Sequence, residues 1–351
     1  MKNNCNLEDA PLVSISCLVY NHEPYLRDCF EGFIKQKTSF PIEILVHDDA
    51  STDHSADIIR EYTEKYPDLF KPIYQAENQY SKGVKISFEY QYSRARGKYI
   101  ALCEGDDYWT DPNKLQMQVD WLEEHEDYVM VCSDAIIEAP KKKLKWSCYR
   151  KDTTISVKDM VLGGGSFVQT CTIVFRKKLL DNYPQYCINC HIGDYPLQIW
   201  AILNGKVRYF SKKYGFYRFN HPASWTSSQI DYKKHIPGWR SEITMLQGLN
   251  QHSSFKFNKV FTKKQTQFIL EKAIFSATGV RDKQSIQLFL SSFPDIKKDF
   301  SFIQKIDLFF ALKLPSKLYQ ICRAILSILC TLLWPTQQRI RRLSIKIQDA
   351  L

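Results

Sequence analysis

Five apolar runs alternate with amphipathic segments over residues 13–135, and that alternation restricts the chain to one fold class before any motif is read. Val13–Tyr20 reads as a buried strand, and Glu23–Lys37 follows with Leu26, Phe30, Phe33 and Ile34 at helical spacing. Ile42–His47 is the second strand. Ser51 or Asp53 caps the next helix, which carries Ile58, Ile59 and Tyr62 and stops before Pro67. Lys71–Gln75, Tyr99–Cys103 and Tyr128–Ala135 read as further strands, separated by helical segments at Ile86–Ala95 and Asn113–His125. Strands alternating with helices predict an α/β fold with a mostly parallel sheet covered on both faces.

Beyond residue 135 the pattern loosens. Gly163-Gly164-Gly165 marks a turn or a close backbone approach. Thr172–Phe175, Val207–Phe210 and Tyr214–Phe219 read as strands, and Tyr195–Leu203 as a helix starting just after Asp194. From about Lys256 the chain becomes helical and basic. This divides it into a domain over 1–240 and a helical, basic extension over 241–351.

Acidic clusters stand where two of the strands run out. Glu104-Gly105-Asp106-Asp107 follows the strand ending at Cys103, and His47-Asp48-Asp49-Ala50-Ser51-Thr52-Asp53 ends an earlier one. Open α/β sheets bind ligands at the carboxyl ends of their strands. Adjacent carboxylates there repel one another unless a cation or hydrogen-bond donors compensate. Hard oxygen ligands suit Mg²⁺ or Mn²⁺ bridging the phosphates of a nucleotide.

The formal charge of +10 points to an anionic partner. No nucleic-acid-binding signature is present, which leaves phosphorylated substrates and a membrane surface. The 11 cysteines sit in too long a chain for a disulfide scaffold, and the apolar run Leu12–Tyr20 is short and follows Glu8 and Asp9. Both points suggest reduced thiols in the cytoplasm. Cys187-Ile188-Asn189-Cys190-His191 fits a haem-attachment pattern, but a lone pair of cysteines is weak support for haem or zinc.

Four segments in order resemble the successive signatures of family 2 glycosyltransferases: Val13–Asn21, Asp48–Asp53, Arg96-Gly97-Lys98-Tyr99-Ile100 and Glu104-Gly105-Asp106-Asp107. The resemblance is clear over about 11–135, weaker to about 219 and absent beyond Trp239. It implies a GT-A (Rossmann-like) fold and inverting transfer of a sugar from a nucleotide sugar, with uridine diphosphate as the expected carrier. The acceptor it implies is a hydroxyl of a glycan or lipid-linked oligosaccharide in surface polysaccharide synthesis.

Residue by residue, the resemblance makes Asp107 the principal ligand of Mn²⁺ or Mg²⁺ and Asp106 a ribose or metal contact. Many members carry Asp where this chain has Glu104. Asp49 matches an acceptor for the uracil imide, and Tyr20 an aromatic lying against the base. Asp48 stands beside them, while Asp53 reads better as a helix cap. Asp194 matches the general base, although Asp before a helix with Pro shortly inside it is also a common cap arrangement. Arg218 or His221 would meet the diphosphate. Arg96 is a further nucleotide contact, or a cation at a helix end.

The loop Tyr20-Asn21-His22-Glu23 is no dinucleotide-binding turn, and no P-loop is present. A sugar nucleotidyltransferase is a nearer rival, but it would carry a Gly-rich phosphate loop near the start of the chain. An inactive carbohydrate-binding or scaffold relative has no reason to keep like charges together. Ile321–Trp334 is apolar but short for a membrane span. With Lys313, Lys317, Arg323 and the Arg339–Arg342 cluster, residues 311–346 read either as a tail helix packed on the domain or as an anchor on anionic lipid, at the inner face of the cell membrane.

Overall fold

The computed structural model describes residues 10–139, 142–144, 147–219 and 232–274, with isolated residues between 291 and 322. The first half alternates as expected: β1 (Val13–Val19), α1 (Glu23–Ile34), β2 (Ile42–Asp48), α2 (Ser55–Lys65), β3 (Phe70–Tyr74), a π-helix (Ser87–Tyr92), β4 (Tyr99–Leu102), β5 (Tyr108–Trp109), α3 (Lys114–Glu124) and β6 (Tyr128–Ala139). Then come β7 (Lys142–Leu144), β8 (Thr153–Thr154), α4 (Val157–Gly163), β9 (Val174–Arg176), α5 (Gln185–Ile188), α6 (Asp194–Asn204), β10 (Lys206–Arg218), α7 (Tyr232–His252) and α8 (Asn258–Ile274).

The sheet runs β3-β2-β1-β4-β9-β6-β10-β5. β3, β2, β1 and β4 are mutually parallel, with Ile15 lying between Ile44 and Ala101. β9 enters antiparallel to both β4 and β6, and β10 is parallel to β6. Side chains alternate across the sheet. Tyr99, Ala101 and Cys103 face a layer holding Leu26, Phe30 and Phe33 of α1, while Ile100 and Leu102 face one holding Leu197 and Trp200 of α6. Burial on both faces explains why β4 reads as an unbroken apolar run.

The loops after β1 and β2 cap each other's helices. The amides of His22 and Glu23, at the start of α1, donate to Ser55 Oγ at 2.9 Å and Asp53 Oδ2 at 3.0 Å. In return His54 N donates to Glu23 Oε2 at 3.1 Å, and Ser55 N to Asp53 Oδ1 at 2.9 Å. The first amides of a helix have no partner within it, so each loop supplies what the other lacks. Asn21 and Ala50, at φ 57° and 61°, turn the two loops. Asn tolerates that conformation, whereas alanine in it is strained.

Three expectations are corrected. Ile86–Ala95 is a π-helix over Ser87–Tyr92, fixed by side chains that fill carbonyl positions on the sheet. Gln91 donates to Cys17 O and Leu45 O at 3.0 and 2.8 Å, and Arg94 to Lys71 O and Val46 O at 2.7 and 3.0 Å. The expected strands Val207–Phe210 and Tyr214–Phe219 form one strand, β10, whose register shifts around Lys213. The boundary near residue 240 also moves. One compact unit comprises Met1–Gln229 with Pro237–Phe261, and a second comprises Ile230–Ile236 with Thr262–Leu351. Trp239, Ile243, Met245, Leu246 and Leu249 of α7 are buried in the first unit, although the sequence assigned residues from 241 on to the extension.

Among the described residues no helix is long and apolar enough to cross a membrane. The segment 311–346 lies outside the described residues apart from Lys313, Leu314, Leu318 and Cys322.

Candidate active site

The carboxyl ends of β1, β2 and β4 bring most of the expected residues to one edge of the sheet. Tyr20 leaves β1 with 43% of its surface exposed, open to a stacking partner. Past β4 the backbone still follows β1, with Cys103 N donating to Ser16 O at 3.2 Å and Gly105 N to Leu18 O at 2.9 Å. A Cβ on Gly105 would lie 2.9 Å from His22 Nδ1 and 3.0 Å from Leu26 Cδ1 and Val19 Cγ2. The glycine therefore lets the acidic loop lie flat on the core.

On that loop Asp106 brings Oδ2 to 3.9 Å from His22 Nε2, a neighbour the sequence reading missed. Asp107 points inward at 1% exposure, and its Oδ1 accepts the backbone N–H of Arg218 at 2.9 Å. Burial pushes Asp107 well above the usual carboxylate range, and repulsion from Asp106 and Glu104 adds to it. Glu104 is raised to about 8, by desolvation first and by Asp106 and Asp194 next. Its side chain keeps contact with solvent, so repulsion among the carboxylates is the firmer cause.

Asp194 reaches the same crevice from the start of α6. Its Oδ2 accepts from Thr170 Oγ1 at 2.9 Å and its Oδ1 from Tyr195 N at 2.7 Å. Burial raises its pKa while those two hydrogen bonds pull the other way. Its charge acts on Glu104 and on Tyr92 of the π-helix. The loop before it is tied to α7, where His191 N donates to Ser241 Oγ at 3.0 Å and His191 Nε2 lies 3.2 Å from Glu242 Oε1. Cys187 and Cys190 are buried in the core. Among the described residues, no group of three or more His, Cys, Asp or Glu side chains is arranged to hold a metal ion.

Asp49 is committed more than expected: its two oxygens accept Gln79 N at 2.7 Å and Tyr80 N at 3.0 Å. It shapes the turn after β3. Asp48, raised by burial, accepts Ser51 N at 3.3 Å. Asp53 is the cap it was read to be.

Two cations are placed differently from expectation. Arg96 lies before β4, at the amino ends of the parallel strands and so opposite the crevice. There its Nε and backbone N–H bind Glu43 at 2.9 Å. There it is a structural partner of a buried carboxylate. Arg218 does sit beside the acidic loop, but its guanidinium is engaged within the protein. It donates to Asp106 O at 2.6 Å and Asp28 Oδ2 at 2.7 Å, and lies against Tyr25 and Tyr108. His221 lies outside the described residues.

Behind the loop stands a buried polar spine. Trp109 Nε1 donates to Cys171 O at 2.7 Å, and Gln118 Nε2 to Thr172 O at 2.9 Å. Lys114, fully buried, places Nζ 2.7 Å from Gln118 Oε1 and 4.2 Å from the Trp109 ring. Burial lowers its pKa to about 7.

This edge lies within the part of the chain, residues 14–183, that matches the family described as glycosyl transferase family 2. Over this segment the chain is similar to that family. An uncharacterized protein of Mycobacterium tuberculosis is 34% identical over 229 residues, 63% of this chain and 63% of that protein. An uncharacterized glycosyltransferase of Nostoc is 28% identical over 236 residues, covering 62% of this chain and 69% of its own. The chain thus spans about 63% of the length of its mycobacterial relative. Staphylococcus aureus TarS 1–349, solved with UDP-GlcNAc, aligns over 82% of this chain and 89% of its own, at a TM-score of 0.51 and 18% identity. At that identity the likeness establishes a shared fold, the GT-A type.

Proposed function

We propose that this chain is a family 2 glycosyltransferase that transfers a sugar from a uridine-diphosphate sugar to a hydroxyl of a glycan or lipid-linked oligosaccharide, with inversion. The observation that carries the reading is the convergence of Glu104, Asp106 and Asp107 with Asp194, from separate parts of the chain, on one crevice at the carboxyl ends of the strands. The UDP-GlcNAc bound by TarS supports a UDP-linked donor.

The crowded carboxylates fit a divalent cation, Mn²⁺ or Mg²⁺, held by Asp106 and Asp107. Such an ion is usually bound by one or two carboxylates together with substrate phosphates, so a cluster of side chains sufficient on its own is not required. When bound, the ion stabilises the negative charge that develops on the departing diphosphate. Tyr20 lies against the base, and Asp48 and Asp49 face its polar edge. Arg218 acts as a positioning residue, since its N–H fixes Asp107 and its guanidinium fixes the Asp106 carbonyl.

Asp194 is the general base. Thr170 and Tyr195 hold its carboxylate in one orientation, and burial makes it more basic than a solvated aspartate. As the acceptor oxygen attacks the anomeric carbon opposite the diphosphate, Asp194 takes the hydroxyl proton and the nucleoside diphosphate departs. A cytoplasmic location with peripheral attachment to anionic lipid belongs to the same proposal, supported by the basic, apolar sequence of the tail.

Release of UDP from a panel of UDP-sugars with Mn²⁺ tests this. Wild type is expected to turn over one donor in a metal-dependent way, and Asp107→Ala to lose that turnover. Asp194→Asn is expected to lose transfer by about 10²–10⁴-fold while still binding UDP. Neither turnover nor metal-dependent nucleotide binding in wild type would overturn the reading.

A further inference from the structure

We propose that Gly165 and Gly193 leave a side-chain-free port beside Asp194, through which a sugar ring bearing the acceptor hydroxyl reaches the carboxylate. This rests on the assignment of Asp194 as base.

A glycine is ordinarily demanded by left-handed backbone or by a close neighbour. Gly164 shows the first reason, at φ 73°. Gly205 shows the second, since a Cβ there would lie 2.4 Å from Val129 Cγ1. Gly165 shows neither. Its φ is outside the left-handed region, and an added Cβ would sit 3.6 Å from Tyr195 Cβ and 4.0 Å from Asp194 Oδ1, at ordinary contact distances. Gly193 adopts φ −99°, and a Cβ there would meet nothing within 4 Å beyond its own chain neighbours. It also occupies the cap position of α6, where Ser, Asp or Asn would serve the helix better than glycine.

Both positions forgo the restriction of the unfolded chain that a larger residue would bring. Gly193 directly precedes Asp194 in the chain, and the Cβ that Gly165 lacks would stand 4.0 Å from the same carboxylate. Asp194 is gripped by Tyr195 N on one oxygen and Thr170 Oγ1 on the other. The space over Gly165 is where a further group approaches Oδ1. Water or a primary alcohol passes a small side chain easily. A secondary hydroxyl does not, because the ring carbons on either side travel with it. The port therefore fits the ring-borne hydroxyl of a glycan.

Carbodiimide coupling of amines to Asp194, read by peptide mass spectrometry, tests this without a known acceptor. Methylamine serves as the small probe and glucosamine as the sugar-shaped one. Wild type is expected to couple both. Gly165→Leu and Gly193→Leu should keep methylamine coupling within about twofold and lose glucosamine coupling at least tenfold. Gly165→Ala, whose Cβ has room, should show a several-fold loss and remains decisive if a leucine variant fails to fold. Wild type refusing glucosamine, or leucine variants coupling it as wild type does, would overturn the port. The base assignment fails separately, if Asp194→Asn still transfers sugar.

Discussion

Replacing Lys114 by methionine should stabilise the protein at neutral pH and remove part of its pH dependence. Lys114 is fully buried, with one hydrogen bond to Gln118 and a contact with the Trp109 ring. Its pKa falls from 10.5 to about 7 in the fold. At about 1.4 kcal/mol per pH unit, that corresponds to ~5 kcal/mol favouring the neutral amine in the folded state. Between pH 7 and 10 the unfolded chain holds the proton and the folded chain has released it, so stability rises with pH. Methionine carries no proton, so the advantage of Lys114→Met over wild type is largest below pH 7. It then shrinks by about 1.4 kcal/mol per pH unit above it. Set against the lost contacts to Gln118 and Trp109, a net gain of about 2–4 kcal/mol at pH 6.5 is expected. Urea unfolding of both proteins at half-unit steps from pH 6 to 9 measures this. Taking the difference between them cancels the buried cysteines, which titrate in both. A flat difference would show that the ammonium stays charged in the fold. A large loss of stability at every pH would show that its contacts outweigh its desolvation.

Asp53→Ala removes acceptors from both Ser55 and Glu23, so it should cost about 1–3 kcal/mol in urea unfolding. A change below about 0.5 kcal/mol would refute the mutual capping of the two loops. Arg96→Ala should lower stability by on the order of 1 kcal/mol, because its side chain is largely exposed while Glu43 is buried. It should leave the UDP-induced rise in melting temperature unchanged, and loss of that rise would restore Arg96 to the nucleotide site.

The parallel half of the sheet was legible because its strands are buried on both faces and so appear as continuous apolar runs. β10 was not, because its register shift at Lys213 breaks the apolar pattern without breaking the strand. The π-helix was hidden for another reason. Gln91 and Arg94 are polar residues spent on sheet carbonyls, and nothing in local sequence distinguishes them from solvated ones. At the site, acids at strand ends were visible as pairs. Their partners were not: His22 and Thr170 come to Asp106 and Asp194 from elsewhere in the chain. Arg96 stands apart from them because the motif containing it runs up to the strand from its amino end.

β9 lies at the centre of the sheet but is made late. Until Val174–Arg176 is in place, β4 has an open edge on the side away from β1, and β6 has no neighbour linking it to the parallel half. A ribosome that has exposed only the first 139 residues thus presents an acidic loop on an unfinished sheet. Asp194 follows β9 in the chain. The chain's order of synthesis therefore brings the carboxylate proposed as base after the strand that joins the two halves of the sheet.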